Sequence, residues 1–376
     1  EILLEPTAAE REDVQAMVIR RHRFGFELES HAGQPSVTPD GHHVALMGNV
    51  DLPEEIDAAQ RHGAQGVGLV RTEFLMTGRT SLPSEEEQYL YFRRLAAAFR
   101  DWPVIIRSFD LGGDKFPPAF QPPAEMNPFL GWRSIRVCLD RPEIFRPQLR
   151  AVLRAAVDQN IWLMLPLITS VAEVQASRAL MLEEAENLAR EGIRAAASVK
   201  VGVMVETPSA VLLADRLALV SDFFSVGTND LTQYTLAVDR GNARLSGRFE
   251  SQHPAILRQL KMVIDTAKAF DLPAGVCGEM ASDPLSAVLL MGLGYTSLSV
   301  SPQDLPVMNW VVRNVPLTAG RKAADLALRA DSAETVREAI LGVVRDHIDP
   351  RFLSPFTMLP GPTAKASLPH NPPPRS

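Results

Sequence analysis

The chain has 376 residues, 46% of them hydrophobic, with a formal net charge of -7 and a sequence pI near 5.7. The acidic balance argues against a nucleic-acid partner, and the apolar content suffices for one large domain or two medium ones. The two cysteines, Cys138 and Cys277, lack CxxC spacing, which argues against a disulfide framework or a zinc site and favours a reducing, cytoplasmic compartment. No apolar run approaches the roughly 20 residues of a membrane span.

The first predicted element is an amphipathic connector helix in residues 1–35, which starts at a capping box of Thr7 and Glu10. A turn signal, Pro39-Asp40-Gly41, follows it. After this turn, short apolar runs alternate with longer helical patterns, as is typical of parallel strands buried on both faces. The predicted strands are residues 44–50, 66–70, 104–108, 162–167, 201–206, 223–227, 274–278 and 297–301.

The helical patterns between these strands have recognisable starts. Three predicted capping boxes and one N-cap before a proline are Ser84/Glu87, Ser170/Glu173, Asp331/Glu334 and Asp283/Pro284. Eight strand-helix units over roughly 300 residues predict an α/β fold, a (β/α)8 TIM barrel in residues 36–350, with a doubly wound open sheet as the alternative. Residues 317–346 predict one or two extra C-terminal helices, and the proline-rich residues 351–376 predict a disordered tail.

Chemically versatile side chains follow the predicted strands, where a barrel of this class has its active site. These residues are Arg71, Arg107, Glu206, Asn229, Asp230, Cys277 and Glu279. Asn229 and Asp230 are predicted to open a helix whose backbone N–H groups face an anion, although either residue could simply cap that helix. The clustering at one end of the strands favours a site for a phosphorylated ligand with a divalent cation.

Two kinds of charged group support this interpretation. Arg71, Arg107 and Arg240 carry planar guanidinium groups suited to phosphate or carboxylate oxygens, and three of them together would repel one another without an anion. Singly, each arginine could form an ordinary ion pair. Glu206 and Asp230 are predicted to share a magnesium ion, and the alternative for Glu206 is a structural pair with a barrel arginine.

The two cysteines receive different interpretations. Cys277 follows a strand at the functional end, which favours an exposed thiol able to act as acid, base or nucleophile; the alternative is an inert buried cysteine. Cys138 lies within a helical run and is interpreted as a packing residue. The histidines show no metal spacing, and His253 is interpreted as the start of a helix and not as a phosphoacceptor.

Six motifs in order carry a family resemblance that covers nearly all of residues 2–315. The chain resembles the C-terminal phosphoenolpyruvate-binding domain of Enzyme I of the bacterial phosphotransferase system, or its nitrogen-related paralogue. The barrel is shared with pyruvate phosphate dikinase and phosphoenolpyruvate synthase. The motifs are Gly68-Leu-Val-Arg-Thr-Glu-Phe-Leu, Gly112-Gly-Asp-Lys115, Asn127-Pro-Phe-Leu-Gly-Trp-Arg-Ser-Ile-Arg136, Val203-Met-Val-Glu-Thr-Pro208, Gly227-Thr-Asn-Asp-Leu-Thr-Gln233 and Cys277-Gly-Glu279.

This resemblance implies a role for each matching residue. Arg71, Arg107 and Arg240 would bind phosphoenolpyruvate, helped by Asn229 and the backbone of Asn229 and Asp230. Glu206 and Asp230 would bind magnesium, and Cys277 would donate a proton to the enolate of pyruvate. Arg133 and Lys115 also match active-site positions, whereas Ser108-Phe109 departs from the pattern expected between Arg107 and Asp110.

The resemblance also implies partners. The chain is expected to bind phosphoenolpyruvate, release pyruvate and form a homodimer, with no nucleic-acid partner and no membrane insertion. No segment of the Gly-Gly-x-Thr-Ser-His type occurs, so the phosphate is expected to pass to a histidine on a phosphohistidine domain absent from this chain, and then to a histidine-containing phosphocarrier protein. Whether the protein serves sugar transport or nitrogen regulation stays open, as do a magnesium-dependent pyruvate-enolate aldolase or lyase and a non-catalytic phosphoenolpyruvate sensor.

Overall fold

The computed structural model describes residues 7, 11–12, 14–15, 28, 33–76, 79, 81–112 and 125–348. The predicted connector helix of residues 1–35 lies almost entirely outside these residues, and the predicted tail of residues 351–376 lies wholly outside them. Among the helices in the described ranges, none is long and apolar enough to cross a membrane.

Eight parallel strands form a closed barrel in which each strand pairs with its neighbours in chain order. The barrel closes where the first strand pairs with the eighth, from Ala45 opposite Ser297 to Gly48 opposite Val300. This closure confirms the (β/α)8 prediction and excludes the doubly wound open sheet. The strands are β1 (Ala45–Val50), β2 (Val67–Arg71), β3 (Val104–Arg107), β4 (Ile161–Leu165), β5 (Lys200–Val205), β6 (Phe224–Val226), β7 (Ala274–Val276) and β8 (Ser297–Val300).

Helices connect these strands and cover the outside of the barrel. They are α1 (Glu55–Arg61), α2 (Glu85–Ala98), α3 (Ile135–Asp140), α4 (Pro142–Ala155), α5 (Val171–Arg190), α6 (Pro208–Leu212), α7 (Ala214–Ala218), α8 (Thr228–Leu236), α9 (Pro254–Ala269), α10 (Pro284–Leu293), α11 (Leu305–Asn314), α12 (Leu317–Ala327) and α13 (Ala333–Val344). Short 3-10 turns occupy Thr72–Met76, Pro128–Leu130, Ala243–Arg248 and Glu279–Ser282. The one or two extra helices predicted in residues 317–346 are α12 and α13.

Most predicted helix starts are confirmed. The capping boxes of α2 and α5 form as predicted, Asp283 caps α10, and His253 caps α9 by accepting from the N–H of Ala255. The predicted box of Asp331 and Glu334 is wrong. The hydroxyl of Ser332 caps α13 instead, because this residue has the extended backbone that directly precedes the first helical turn and accepts from the N–H of Thr335.

The buried side chains form two clusters. The larger one packs the barrel wall against the surrounding helices. The smaller one takes side chains from within or next to six consecutive strands: Leu69, Ile105, Met164, Met204, Phe223 and Cys277. Because the larger cluster occupies the outer face of the strands, the smaller cluster fills the barrel interior, as expected of a packed barrel and not a pore.

The segment that precedes β1 is tied to the start of α12. Asp40, in the predicted turn, accepts hydrogen bonds from the first backbone N–H groups of α12, at 2.9 Å from Leu317 and 3.0 Å from Thr318. The hydroxyl of Thr38 also donates to Asp40, at 2.6 Å. Burial raises the pKa of Asp40, but these hydrogen bonds outweigh it and hold the pKa well below its usual range. Asp40 therefore caps a helix that begins 277 residues later.

We expect Asp40→Ala to lower the free energy of unfolding by about 1–2 kcal/mol, because two N–H groups of α12 lose a charged acceptor. Because the pKa of Asp40 is lower in the folded chain, its contribution is present above its unfolded pKa of about 4 and declines as the pH falls further. Urea unfolding at pH 7 measures the loss. Asp325→Ala, at an exposed position of the same helix, is the control and should change stability by less than about 0.5 kcal/mol.

Candidate active site

The register of the strands brings the predicted site residues to one level at the carboxyl-terminal end of the barrel. Arg71 and Arg107, the last residues of β2 and β3, are paired neighbours. The last residues of β5, β6 and β7 are also paired in sequence, Val205 with Val226 and Val226 with Val276. Glu206, Gly227 and Cys277 each follow one of these three residues directly, so they share one rim.

Arg107 is the buried centre of this rim. Its guanidinium forms an ion pair with Glu73 and lies 3.5 Å from Asp110. Burial by itself lowers the pKa of Arg107, but Glu73 and Asp110 outweigh it and raise the pKa above its ordinary value. The arginine is thus a fixed cation whose Nε has no hydrogen-bond partner within the described residues.

A second buried arginine, Arg133, connects two acidic residues. Its Nη2 donates to both carboxylate oxygens of Asp110 at 2.9 Å and lies 3.5 Å from Asp230 Oδ2. Its Nη1 donates to the hydroxyl of Tyr234 on α8, at 3.2 Å. Asp110 thereby couples Arg133 to Arg107, and the rim forms one ionic network instead of a set of independent pairs.

The remaining two predicted arginines are more accessible. Arg71 pairs with Asp51 at 3.1 Å and its side chain is 37% exposed. Arg240 lies 3.5 Å from Asp230 Oδ1 and is 38% exposed. The expectation that the arginines would repel one another without a bound anion does not hold, because each has a carboxylate partner from the chain itself. An incoming anion would exchange with these carboxylates.

Glu206 and Asp230 form a buried acidic pair at the ends of β5 and β6. Glu206 Oε1 accepts from the N–H of Leu167 at 2.6 Å, and within the described residues Glu206 forms no ion pair with a barrel arginine. Burial, followed by repulsion from Asp230 and Asp110, raises the pKa of Glu206 to about 8. Gly227 leaves room for this carboxylate, since a β-carbon there would lie 2.7 Å from Glu206 Oε2.

The acidic pair fits a hard divalent cation. Asp230 Oδ1 is buried without a hydrogen bond in the described part of the chain, and a cation would offset the repulsion that raises the pKa of Glu206. No group of three or more histidine, cysteine or acidic side chains in the described ranges is arranged as a metal site. Two carboxylates are nevertheless enough for magnesium, which commonly takes its other ligands from water and substrate phosphate.

Asn229 does not cap α8, and neither does Asp230. The N-cap position is Gly227, which makes no side-chain cap. The amide of Asn229 instead forms two hydrogen bonds with Glu279, donating to its carboxylate at 2.9 Å and accepting from its N–H at 3.0 Å. These bonds tie the start of α8 to the loop after β7. Gly278 permits the close approach, because a β-carbon there would lie 2.0 Å from Thr228 Oγ1.

The prediction of an exposed thiol at Cys277 is wrong. The residue is only 3% exposed and belongs to the cluster inside the barrel. Burial raises the pKa of its thiol to about 11, although a hydrogen bond with Ser225 opposes this shift. The thiol is therefore protonated at neutral pH, which suits a proton donor and disfavours a nucleophile or base. Cys138 is buried in α3, as predicted for a packing residue.

Two residues next to the rim have a positive φ, a backbone conformation that residues other than glycine rarely adopt. Leu167, whose N–H holds Glu206, has a φ of 55°, and Ser134, which follows Arg133, has a φ of 60°. Both are buried. Left-handed backbone in residues other than glycine costs roughly 1–3 kcal/mol and is concentrated at functional sites. In this chain it accompanies the positioning of a predicted metal ligand and of a buried arginine.

The structure thus brings all the predicted site residues to one rim. These residues are Arg71, Arg107, Glu206, Asn229, Asp230, Arg240 and Cys277. Lys115 lies outside the described residues. The sequence interpretation missed Glu73 and Asp110 as partners of the arginines, although each follows a strand by two or three residues and is an acidic group in a rim segment. Their position just after β2 and β3 could have indicated that they pair with the rim arginines.

Comparisons with known proteins identify the family of this chain. Residues 27–317 match the family model described as PEP-utilising enzyme, PEP-binding domain. A phosphoenolpyruvate-protein phosphotransferase of Haemophilus influenzae is 41% identical over 340 residues, covering 90% of this chain and 59% of the relative. One from Staphylococcus carnosus is 42% identical over 314 residues, covering 84% and 55%. A multiphosphoryl transfer protein of Xanthomonas campestris is 45% identical over 304 residues, covering 81% and 36%.

The chain spans somewhat more than half the length of the phosphotransferases from Haemophilus and Staphylococcus. Among solved structures, an HpcH/HpaI aldolase/citrate lyase family protein from Burkholderia cenocepacia matches with a TM-score of 0.44 and 17% identity, covering 80% of this chain and 98% of that one. A similarity this low carries no argument about function. The family match covers most of the chain and includes every rim residue, so the chain belongs to the family of PEP-utilising enzymes, through their PEP-binding domain.

Proposed function

We propose that this chain is the phosphoenolpyruvate-binding catalytic part of a phosphoenolpyruvate-protein phosphotransferase. It binds phosphoenolpyruvate at the carboxyl-terminal rim, passes the phosphate to a histidine and releases pyruvate. The observation that carries the proposal is the arrangement of Arg71, Arg107 and Arg240 around the acidic pair of Glu206 and Asp230. The names of the relatives support the same reaction, and they give no support to a lyase.

The three arginines have different tasks in this proposal. Arg107 is buried and fixed by its carboxylates, so it marks one position for a phosphate or carboxylate oxygen. Arg71 and Arg240 are more than a third exposed and held by one carboxylate each, so they can turn from these carboxylates to the ligand. The backbone N–H groups at the start of α8, near Asn229, add donors for an anion.

Glu206 and Asp230 are the proposed ligands of Mg²⁺. When bound, this cation stabilises negative charge on the phosphoryl group and on the enolate oxygen. In its absence, Asp230 is held beside Arg133 and Arg240, and Glu206, which accepts from the N–H of Leu167, retains its proton up to about pH 8. The chain therefore exchanges a proton for the cation at this position.

Cys277 is the proposed proton donor. When the phosphoryl group leaves, the enolate of pyruvate needs a proton at its methylene carbon, and a protonated thiol inside the barrel mouth can supply it. The high pKa of this thiol keeps the proton in place until a strong carbon base is formed.

The proposal includes partners that this chain does not contain. The phosphate acceptor is a histidine on a separate domain or chain, from which a histidine-containing phosphocarrier protein takes the phosphate. The accessible rim arginines fit transfer of phosphate to this histidine, because the acceptor must approach the phosphoryl group from the open end of the barrel.

We also propose that the protein is a cytoplasmic homodimer.

Calorimetric titration with phosphoenolpyruvate tests the proposal. We expect saturable binding that is strengthened by Mg²⁺, and we expect Arg107→Ala to weaken it by about 10- to 150-fold, the usual effect of losing a hydrogen bond to a charged group. Arg178→Ala is the control. It removes an arginine paired with Asp222, which precedes β6 at the opposite end of the barrel, and it should bind as the unmodified chain does.

The variant itself needs a check of folding, since Arg107 is buried and holds two carboxylates. Circular dichroism and a cooperative melting transition test whether the Arg107→Ala variant is folded. A folded, unmodified chain that does not bind phosphoenolpyruvate with or without Mg²⁺ would contradict the proposal. Equal binding by the Arg107→Ala and Arg178→Ala variants would instead place the ligand away from this rim.

A further inference from the structure

The opposite end of the barrel contains a cavity of about 310 Å³, which we call the basal cavity. It extends from the strand starts, at Trp102 and Thr296, into the barrel as far as Ser225 and Val276. The rim residues Arg71, Arg107, Glu206 and Asp230 do not line it. The basal cavity is therefore separate from the proposed phosphoenolpyruvate site, with the side-chain cluster inside the barrel between them.

The cavity exists because the barrel interior is filled unevenly. Large side chains project from one half of the wall, including Ile105 and Trp162, and Phe223 precedes β6. The neighbouring strands β7, β8, β1 and β2 supply mostly small residues to the cavity lining, namely Gly275, Ser297, Ala45 and Gly68, and Met47 of β1 is the larger exception. A barrel of eight strands is normally filled by bulky side chains in layers. Here the small side chains on one half of the wall leave a space, and the large side chains on the other half do not fill it.

The lining of the basal cavity is rich in aromatic side chains and contains no acidic side chain, lysine or arginine among the described residues. His43 and Trp102 are stacked with ring centroids 5.8 Å apart, and the ring centroids of Trp162 and Phe223 are 4.9 Å apart. The amide nitrogen of Gln65 lies 3.0 Å from His43 Nε2, so a side chain outside the cavity lining orients this ring.

These features restrict the ligand. An apolar engineered cavity of roughly 150 Å³ binds one benzene ring, and ligand pockets start at about 300 Å³, so this space suits one or two fused rings. Aromatic walls favour a flat ring that stacks on them. The hydroxyl of Ser297 offers a hydrogen bond. No lysine or arginine among the described lining residues could pair with a buried phosphate or carboxylate, which disfavours nucleotides and organic acids.

We propose that the basal cavity binds a neutral, flat heteroaromatic molecule of one or two rings. This site lies apart from the proposed phosphoenolpyruvate site, and its proposal does not depend on that one. It places a ligand against Ser225 and Val276, which lie one or two residues before Gly227 and Cys277 in their strands.

Indole is the probe that tests the proposal. Saturation-transfer NMR and thermal melting should show saturable binding with a dissociation constant on the order of 0.1–1 mM and a rise in Tm of about 2 °C at ten times that concentration. Indole-3-carboxylate should bind at least about tenfold more weakly, because its charge has no partner in the lining. Equal binding of the two compounds would overturn the assignment of a neutral ligand.

Two variants locate the binding site. Ala45→Leu and Ser297→Leu each add a side chain to the start of a strand that lines the cavity, and each should abolish the indole signal. Ala97→Leu, at an exposed position of α2, is the matched control and should bind as the unmodified chain does. If one of these two variants fails to fold, the indole binding of the other tests the proposal. Undiminished indole binding by a folded filling variant, or no saturable binding by the unmodified chain, would overturn the proposal.

Discussion

Replacing Cys277 by alanine is expected to lower the rate of pyruvate formation by about 10²- to 10⁴-fold while phosphoenolpyruvate binding changes by less than about threefold. The thiol is 3% exposed and its pKa is raised to about 11, so it holds a proton at neutral pH and makes little contribution to the charge of the rim. A methyl group fits in its place without a clash, and only the proton donor is lost.

The assay supplies a phosphohistidine acceptor protein in trans and follows pyruvate through lactate dehydrogenase, with calorimetry for binding. Cys138→Ala is a matched control, because Cys138 is also a buried cysteine but lies in α3. Its turnover should equal that of the unmodified chain. Loss of phosphoenolpyruvate binding in Cys277→Ala would assign the residue a structural role, and unchanged turnover would mean that another group donates the proton.

The barrel itself was predictable because its signal is local. Each strand is a short, mostly apolar run, and eight such runs, each followed by a helical pattern, admit few folds. The predicted ends differ by one or two residues, as in β4, which is Ile161–Leu165 against a predicted 162–167. Hydrogen bonding ends a strand earlier than apolar character does, since buried turn residues such as Leu167 continue the apolar run.

The contacts within the site were less predictable because they join distant parts of the chain. The placement of Arg107 and Glu206 at one rim follows from the barrel alone. That Asp110 binds Arg133, 23 residues away, depends on how the segment after β3 folds back. The burial of Cys277 depends on side chains from five other strands, such as Met164 and Met204. No local pattern around either residue carries this information.

Glu206→Gln should remove the effect of Mg²⁺ on phosphoenolpyruvate binding. In the unmodified chain the carboxyl group of Glu206 holds a proton below about pH 8, mainly because of burial and secondarily because of Asp230 and Asp110. A divalent cation needs the carboxylate and must displace that proton. Mg²⁺ should therefore strengthen binding less at pH 6 than at pH 8, by up to about tenfold per pH unit, and the dependence should level off above pH 8.

The same raised pKa predicts the stability of the chain without metal. Because Glu206 binds its proton more tightly when folded, its favourable contribution is complete below the unfolded pKa of about 4.3 and is lost as the pH rises through about 8. Glu206→Gln should flatten this part of the stability profile in urea unfolding. Glu184→Gln provides the control, since Glu184 is equally buried but pairs with Arg146 and Arg150 away from the rim. If the Glu206→Gln variant kept both the Mg²⁺ effect and its pH dependence, the cation would have to bind elsewhere.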